Sequence, residues 1–121
     1  MSKKFYVTTP IYYVNGVPHI GTATTTLIAD AVIRFHRLRG EDCFFLTGTD
    51  EHAQKVADAA AAAGQSPQEF VDNISLRFAE TWNYLNISYD QFIRTSDERH
   101  KFVVAEVFRQ LQATGDVYKG V

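Results

Sequence analysis

A short apolar run at residues 42–47 (DCFFLT) most constrains the fold of this chain. The run is continuous and is bounded by polar residues, as in a strand that is buried on both faces of a sheet. Such strands occur almost only in parallel sheets, where helical connections cover both faces. The stretches before and after the run both have helical patterns, which favours this interpretation.

Two elements are predicted before the run. Residues 4–9 (KFYVTT) are β-branched and aromatic, which predicts a strand that Pro10 ends. From His19 onward the apolar residues keep to one helical face, which predicts an amphipathic helix: Ile20, Leu27, Ile28, Ala31, Phe35 and Leu38. Asp30 and Arg34 lie four residues apart on the other side of this helix and can support one another.

The rest of the chain continues the alternation of helices and strands. Ser66-Pro67-Gln68-Glu69 has the N-cap residue, the first-turn proline and the acidic first turn of a helix. The predicted elements after residue 47 are a helix from near Glu51 to Ala63, a helix from Pro67 to about Leu85, a strand over 89–94, a helix opened by Ser96-Asp97-Glu98 and closed by Gly115, and a strand-like segment over 116–121.

This order of elements predicts an α/β fold, a Rossmann-like parallel sheet with flanking helices and right-handed crossovers. In such sheets ligands bind at the carboxyl ends of the strands, near the N-termini of helices. Residues 12–22 and residues 48–52 (GTDEH) both fall at that edge. We therefore expect these two segments to meet in one site.

Composition narrows the class of protein. The chain has 121 residues, enough for one domain, and its formal net charge of -2 argues against a stand-alone nucleic-acid binder. One cysteine excludes an internal disulfide, and neither a signal peptide nor a membrane span is present, so we expect a cytoplasmic setting. No protein-bound metal is expected, because the four histidines show no ligand spacing: His19, His36, His52 and His100.

His19 and Gly21 lie where the first long helix begins. A helix N-terminus presents free N–H groups and partial positive charge, so a phosphate is a natural ligand there. Gly21 lets a base or a ribose approach the backbone, and His19 can donate to a phosphate oxygen. The alternative is that His19 only caps the helix and that Gly21 only eases packing.

Three more residues near the predicted edge are candidates for binding. Asp50 follows the apolar run and can receive a substrate ammonium, although it can also simply cap the next helix. Tyr12 and Tyr13 either line an apolar substrate pocket or belong to the core. The residues alone leave these alternatives open.

Three segments together resemble a known family: TTPIYYVNGVPHIGT, FHRLRGEDCFFLTGTDEHAQK and NISYDQFIRTSDERH. They are similar to the opening of the methionyl-tRNA synthetases of the bacterial and organellar type, which are class I aminoacyl-tRNA synthetases. The resemblance covers essentially all 121 residues. It implies a ligase of protein biosynthesis that activates methionine with ATP and Mg²⁺ to methionyl-adenylate and then charges tRNA(Met).

The resemblance also implies roles for individual residues. His19 and Thr22 would be catalytic. The residues implied to bind ATP are Tyr12, Pro18, His19, Gly21 and Thr22, and those implied to bind methionine are Ile11, Tyr13 and Asp50.

The sequence departs from the family at Thr22, which stands where the family has the second histidine of its His-Ile-Gly-His signature. A threonine hydroxyl is shorter than an imidazole and cannot carry positive charge toward the phosphates. Loss of such a donor costs on the order of 2.7–4 kcal/mol of barrier, so we expect a slow enzyme, or an engineered or degenerate one. Thr24 and Ala53 replace a tyrosine and a glycine that are usual in this family.

Length is the second departure. Residues 1–121 match the N-terminal part of the nucleotide-binding (Rossmann) catalytic domain and end where a connecting insertion would begin. The second phosphate-binding loop and the regions that contact tRNA would lie beyond Val121. An isolated piece would expose apolar faces and a sheet edge, so we expect it to self-associate or to need the missing half.

Two other functions remain as alternatives. One is a non-catalytic truncated module that binds a nucleotide or a partner protein. The other is a small nucleotidyltransferase of the His-x-Gly-His superfamily that acts on another acceptor.

Overall fold

A computed structural model describes residues 3–120 and contains four parallel strands and four helices in that part of the chain. The predicted α/β class, a parallel sheet with flanking helices, is confirmed. The elements are β1 (Lys4–Thr8), β2 (Tyr12–Tyr13), α1 (Ile20–Leu38), β3 (Asp42–Asp50), α2 (Gln54–Ala62), α3 (Pro67–Tyr84), β4 (Gln91–Arg94) and α4 (Glu98–Thr114).

Strand β3 forms the centre of the sheet, because every other strand pairs with it. Leu46 is in register with Thr8 of β1 and with Gln91 of β4, so those two strands lie on opposite edges of β3. β2 pairs further along the β1 edge, with Tyr13 in register with Asp50. β1 and β2 therefore follow one another along a single edge.

The alternation of side chains along β3 gives the sheet two different faces. Phe45, Thr47 and Thr49 are buried, whereas Phe44 is 42% exposed. The prediction that this strand is buried on both faces is therefore wrong at Phe44. α1 and α3 cover only one face of the sheet, and we call the opposite face, with Phe44 and Tyr6, the open face.

Tyr12 shows how the two covering helices meet the sheet. Its hydroxyl is 2.9 Å from the Thr26 hydroxyl on α1, and its ring packs against Phe78 and Trp82 on α3. All four of these side chains are buried. One strand residue thus joins both helices to the covered face.

Helix α1 forms where it was predicted, but its predicted apolar stripe is not the face that packs against the sheet. The predicted apolar positions are exposed, whereas α1 buries Thr26, Ala29, Asp30 and Ile33. Asp30 bonds Arg34 Nε at 2.6 Å, as expected, but its second oxygen accepts from the backbone and side chain of Ser88. Small and polar residues let this helix lie close to the sheet and bond to specific partners.

Four other features differ from the prediction. β3 runs to Asp50, three residues beyond the predicted end, and α2 therefore begins at Gln54 and not near Glu51. The two-residue strand β2 was not predicted. Residues 116–120 contain no strand, which contradicts the prediction there, and Val121 lies outside the described residues.

The capping predictions for α3 and α4 succeeded because they depend on local chemistry, whereas the alternative that Asp50 caps α2 is wrong, since Ala53 is the N-cap residue of that helix. Ser66 caps α3 in a reciprocal arrangement with Glu69, and Pro67 is in the first turn. Gly115 ends α4 with a left-handed backbone. Within residues 3–120, no helix has both the length and the apolar character needed to cross a bilayer.

Gly48 allows β3 and β4 to approach each other closely. A Cβ atom at this position would lie 2.0 Å from the carbonyl oxygen of Ile93 on β4. We predict that Gly48→Ala lowers the free energy of unfolding of this chain by about 3 kcal/mol or more, because backbone must move to relieve the overlap. Urea unfolding followed by circular dichroism measures the change.

Gly16→Ala is the matched control, because no heavy atom lies within 4 Å of the added Cβ atom. We expect its free energy of unfolding to stay within about 1 kcal/mol of the parent. Equal stability of the Gly48→Ala and Gly16→Ala variants would contradict the close approach of β3 and β4.

Candidate active site

A cleft of about 500 Å³ opens between the end of the β1–β2 edge and the start of α1. Five of the eight predicted site residues line it: Ile11, Tyr12, Tyr13, His19 and Thr22. Pro18 and Gly21 lie beside the cleft on either side of His19 in the chain, whereas Asp50 does not line the cleft but is the β3 residue in register with Tyr13, which does. The two predicted segments therefore meet, although the roles of these residues remain predictions.

His19 is the N-cap residue of α1. Its Nδ1 accepts a hydrogen bond from the backbone N–H of Gly21 at 3.1 Å. In neutral imidazole the other nitrogen then carries the proton, so Nε2–H is free to donate to a ligand. The side chain thus presents a hydrogen-bond donor at the positive end of a helix.

Gly21 permits this position of the imidazole. A Cβ atom on Gly21 would lie 3.0 Å from Cε1 and 3.1 Å from Nδ1 of His19. Such contacts are tighter than ordinary van der Waals packing, so any larger residue would displace the ring. The glycine therefore serves His19 directly as well as leaving the backbone open.

The hydroxyl of Thr22 is engaged with the backbone of His19. It donates to the carbonyl oxygen of His19 at 2.8 Å and accepts from the backbone N–H of His19 at 3.1 Å. Together with the bond from Gly21 this forms a capping box. The single proton of this hydroxyl is thus in use, and it can donate to a phosphate only after breaking the bond to His19.

Tyr12 and Tyr13 point to opposite faces of the sheet, as adjacent residues of a strand do. Tyr12 is in register with Thr49 and both are buried on the covered face. Tyr13 is in register with Asp50, and its ring is exposed. A ligand in the cleft can therefore meet the face of Tyr13, and Asp50 is the neighbour of Tyr13 on the next strand.

Glu51 is a residue of this region that sequence reasoning missed. Its side chain is 0% exposed, and Arg94 binds it with two hydrogen bonds, from Nε at 2.8 Å and from Nη2 at 3.0 Å. The hydroxyls of Thr49 and Ser96 also donate to this carboxylate. No sequence signal joins Glu51 to a partner 43 residues away.

These contacts determine the charge states of Glu51 and Arg94. Burial raises the pKa of Glu51, but the hydrogen bonds from Arg94, Ser96 and Thr49 outweigh it and lower the pKa below its ordinary value of 4.5. The hydrogen bonds that Arg94 donates to Glu51 and Asp72 raise the pKa of Arg94. Glu51 and Arg94 are therefore both charged near neutral pH.

The described part of the chain contains no cluster of side chains that could bind a metal ion. Among residues 3–120, no group of three or more His, Cys, Asp or Glu side chains could hold an ion. His52 follows Asp50 and Glu51, but its Nε2 lies 3.2 Å from the carbonyl oxygen of Thr95.

Comparison with known proteins decides the family. The family model for class I tRNA synthetases of the methionine type, tRNA synthetases class I (M), matches residues 5–121. This chain belongs to that family. The methionine–tRNA ligase of Thermotoga maritima is 55% identical over 118 residues, and that of Nostoc sp. is 52% identical over 118 residues.

These alignments cover 98% of this chain but only 19% and 22% of the two relatives. The chain thus spans about a fifth of the length of the curated ligases that it matches. Among solved structures, the Mycobacterium tuberculosis methionyl-tRNA synthetase in complex with methionyl-adenylate superimposes with a TM-score of 0.93 at 47% identity. That match covers 96% of this chain and 23% of the M. tuberculosis chain.

The Glu51–Arg94 pair predicts how stability depends on pH. Folding lowers the pKa of Glu51. The contribution of its charged carboxylate to the free energy of unfolding is therefore fully present above pH 4.5 and is lost as the pH falls through the folded-state pKa. We predict that Glu51→Gln lowers the free energy of unfolding by about 3 kcal/mol near neutral pH, because Arg94 keeps its charge in a partly buried position. Urea unfolding at a series of pH values measures this difference between parent and variant, which should shrink below pH 4.5.

Asp72→Asn is the matched control, because Asp72 binds the same guanidinium at 2.5 Å but is 49% exposed. We expect that variant to lose less than about 1 kcal/mol. A destabilisation by Glu51→Gln that is independent of pH would contradict the assigned charge of Glu51.

Proposed function

We propose that this chain supplies the part of a methionine–tRNA ligase catalytic domain that binds methionine and ATP for the formation of methionyl-adenylate. The observation that carries the proposal is the position of His19, which presents Nε2–H at the start of α1 in the same cleft as Tyr13. Membership of the family supports the choice of methionine as the amino acid.

In the proposed reaction a carboxylate oxygen of methionine attacks the α-phosphorus of ATP. The bond from that phosphorus to the bridging oxygen breaks, and pyrophosphate leaves with the electron pair. Mg²⁺ enters with ATP as part of the substrate. Catalysis of this kind depends on positioning and on stabilising charge that develops on phosphate oxygens.

Each residue has a distinct part in this proposal. His19 donates through Nε2 to a phosphate oxygen, and Gly21 keeps the helix start open for the adenosine. Asp50 pairs with the ammonium of methionine, while Ile11 and Tyr13 contact its side chain. Tyr12, buried beneath the cleft, holds the start of α1 through Thr26.

The proposal is limited to formation of the adenylate, because the chain spans about a fifth of the length of the ligases that it matches. The proposed domain assignment is therefore the N-terminal part of the catalytic domain over residues 1–121. Full aminoacylation requires the remaining parts of such an enzyme.

The test uses a full-length chimera in which this chain replaces the matching 118-residue segment of the Thermotoga maritima ligase. We predict methionine-dependent exchange between ATP and pyrophosphate at a low rate. Thr22→His in the chimera should raise the rate about 100-fold, because an imidazole restores a donor to the developing charge. The Kd of methionine should change little, because Thr22 contacts His19 and not the predicted ammonium site.

Thr25→His is the matched control, since it adds the same imidazole to the same helix three residues further on. The Thr25 hydroxyl bonds only the carbonyl oxygen of Gly21, so this variant should not accelerate exchange. An unchanged rate in Thr22→His would contradict the role given to this position.

Two outcomes would favour the alternative functions. ATP binding without exchange, even after Thr22→His, would indicate a non-catalytic nucleotide-binding module. Exchange that depends on an acceptor other than methionine would indicate a nucleotidyltransferase.

A further inference from the structure

Glu51 forms a polar cluster directly behind the predicted methionine site. We define the strand-end cluster as Glu51, Arg94, Ser96, Thr95 and Thr49. Glu51 contributes the only carboxylate of this cluster, and its side chain is fully buried. The proposed reaction gives this carboxylate no role, although it is adjacent in the chain to Asp50.

The strand-end cluster fixes the backbone on both sides of Asp50. On one side, the carbonyl oxygen of Thr49 accepts from the N–H of Thr95 at 3.2 Å. On the other side, the N–H of Glu51 donates to the Thr95 hydroxyl at 2.8 Å. Asp50 is thus held between two residues that are both anchored to the end of β4.

Alternation along the strand turns Asp50 away from this cluster. Thr49 lies on the covered face, where its hydroxyl bonds Glu51 and lies 3.1 Å from the Ser75 hydroxyl on α3. Asp50 points to the open face, in register with Tyr13. The cluster can therefore set the direction of the Asp50 side chain without touching a ligand.

The strand-end cluster also determines which cation Asp50 can meet. Arg94 is bound by two carboxylates, those of Glu51 and Asp72. Among residues 3–120, no cation forms an ion pair with Asp50. The carboxylate of Asp50 is consequently left for a cation from outside the chain.

We infer that Glu51 and Arg94 are positioning residues for the amino-acid site: they hold the end of β3 so that the Asp50 carboxylate faces the ammonium of the substrate. This inference rests on the proposed function, because it takes the ligand of Asp50 to be the ammonium of methionine. It adds to that function a pair of residues, Glu51 and Arg94, that do not contact the ammonium but raise the affinity for it by positioning Asp50.

The experiment measures two Kd values in the chimera by calorimetry. One probe is methionyl sulfamoyl adenosine, a stable mimic of the adenylate, and the other is the same molecule without its α-amino group. We expect Glu51→Gln to weaken binding of the amino probe about tenfold or more, because a misplacement of about 1 Å can cost about 100-fold. Binding of the des-amino probe should change less than about twofold.

Asp50→Asn should show the same selective loss of affinity for the amino probe. The double variant should bind the amino probe about as weakly as Asp50→Asn alone, because the two residues act through one contact. Asp72→Asn is the matched control: it removes the other carboxylate partner of Arg94 but lies on α3, and it should leave both Kd values unchanged.

Arg94→Lys provides a second test if Glu51→Gln fails to fold, because it keeps the charge but loses the two-bond geometry. The same selective loss of the amino probe is expected. Equal weakening of both probes, or additive effects in the double variant, would overturn the positioning role and leave a structural one. A parent chimera that binds neither probe would contradict the proposed function itself and this inference with it.

Discussion

The structure depends on the pairing of β3 along both of its edges. β1 and β2 bond to one edge and β4 to the other, so each site residue on a strand end is placed by its register with β3. Gly48 is in the middle of this arrangement, where no side chain fits against Ile93. The carboxyl end of β3 is therefore a fixed reference point from which Asp50 and Glu51 extend in opposite directions.

Because side chains alternate along a strand, the residues that stabilise the site and the residues proposed to bind the ligand lie on opposite faces of the sheet. On the covered face, Tyr12 bonds Thr26 and packs on α3, and Glu51 binds Arg94. On the other side, Tyr13 lines the cleft and Asp50 is in register with it. Neighbouring residues in the chain thus have opposite roles, because a strand turns each successive side chain by about half a revolution.

At the start of α1, neighbouring residues also divide between those that stabilise the backbone and one that is proposed to bind the ligand. His19, Gly21 and Thr22 bond to one another within four residues, and the result leaves one imidazole N–H free. The position of Thr22 therefore has a structural function that a histidine there would have to replace. In Thr22→His the added imidazole donor and the loss of the capping box oppose one another, and the predicted gain of about 100-fold is the net effect.

Local signals account for the parts of the fold that were predicted from sequence. Ser66, Pro67 and Gly115 act on neighbouring residues, so the limits of α3 and α4 follow from the chain itself. The segments that contain His19 and Asp50 meet at the carboxyl edge of the sheet, and this follows from the order of strands and helices in the chain. These predictions need no knowledge of distant contacts.

Long-range contacts account for what the sequence did not reveal. The face that α1 buries depends on Tyr12 and on Ser88, which is 58 residues from Asp30. Strand β2 exists only because it pairs with the end of β3. The bond between Glu51 and Arg94 likewise joins residues that no periodicity connects.

A crystal structure of the chimera with bound methionyl sulfamoyl adenosine tests the central claim most directly. The account predicts that the Asp50 carboxylate lies about 3 Å from the α-ammonium and that His19 Nε2 faces the sulfamoyl group in place of the phosphate. The same structure should retain the Glu51–Arg94 pair behind Asp50. An ammonium bound by a different carboxylate, or an adenosine bound away from the start of α1, would contradict the account.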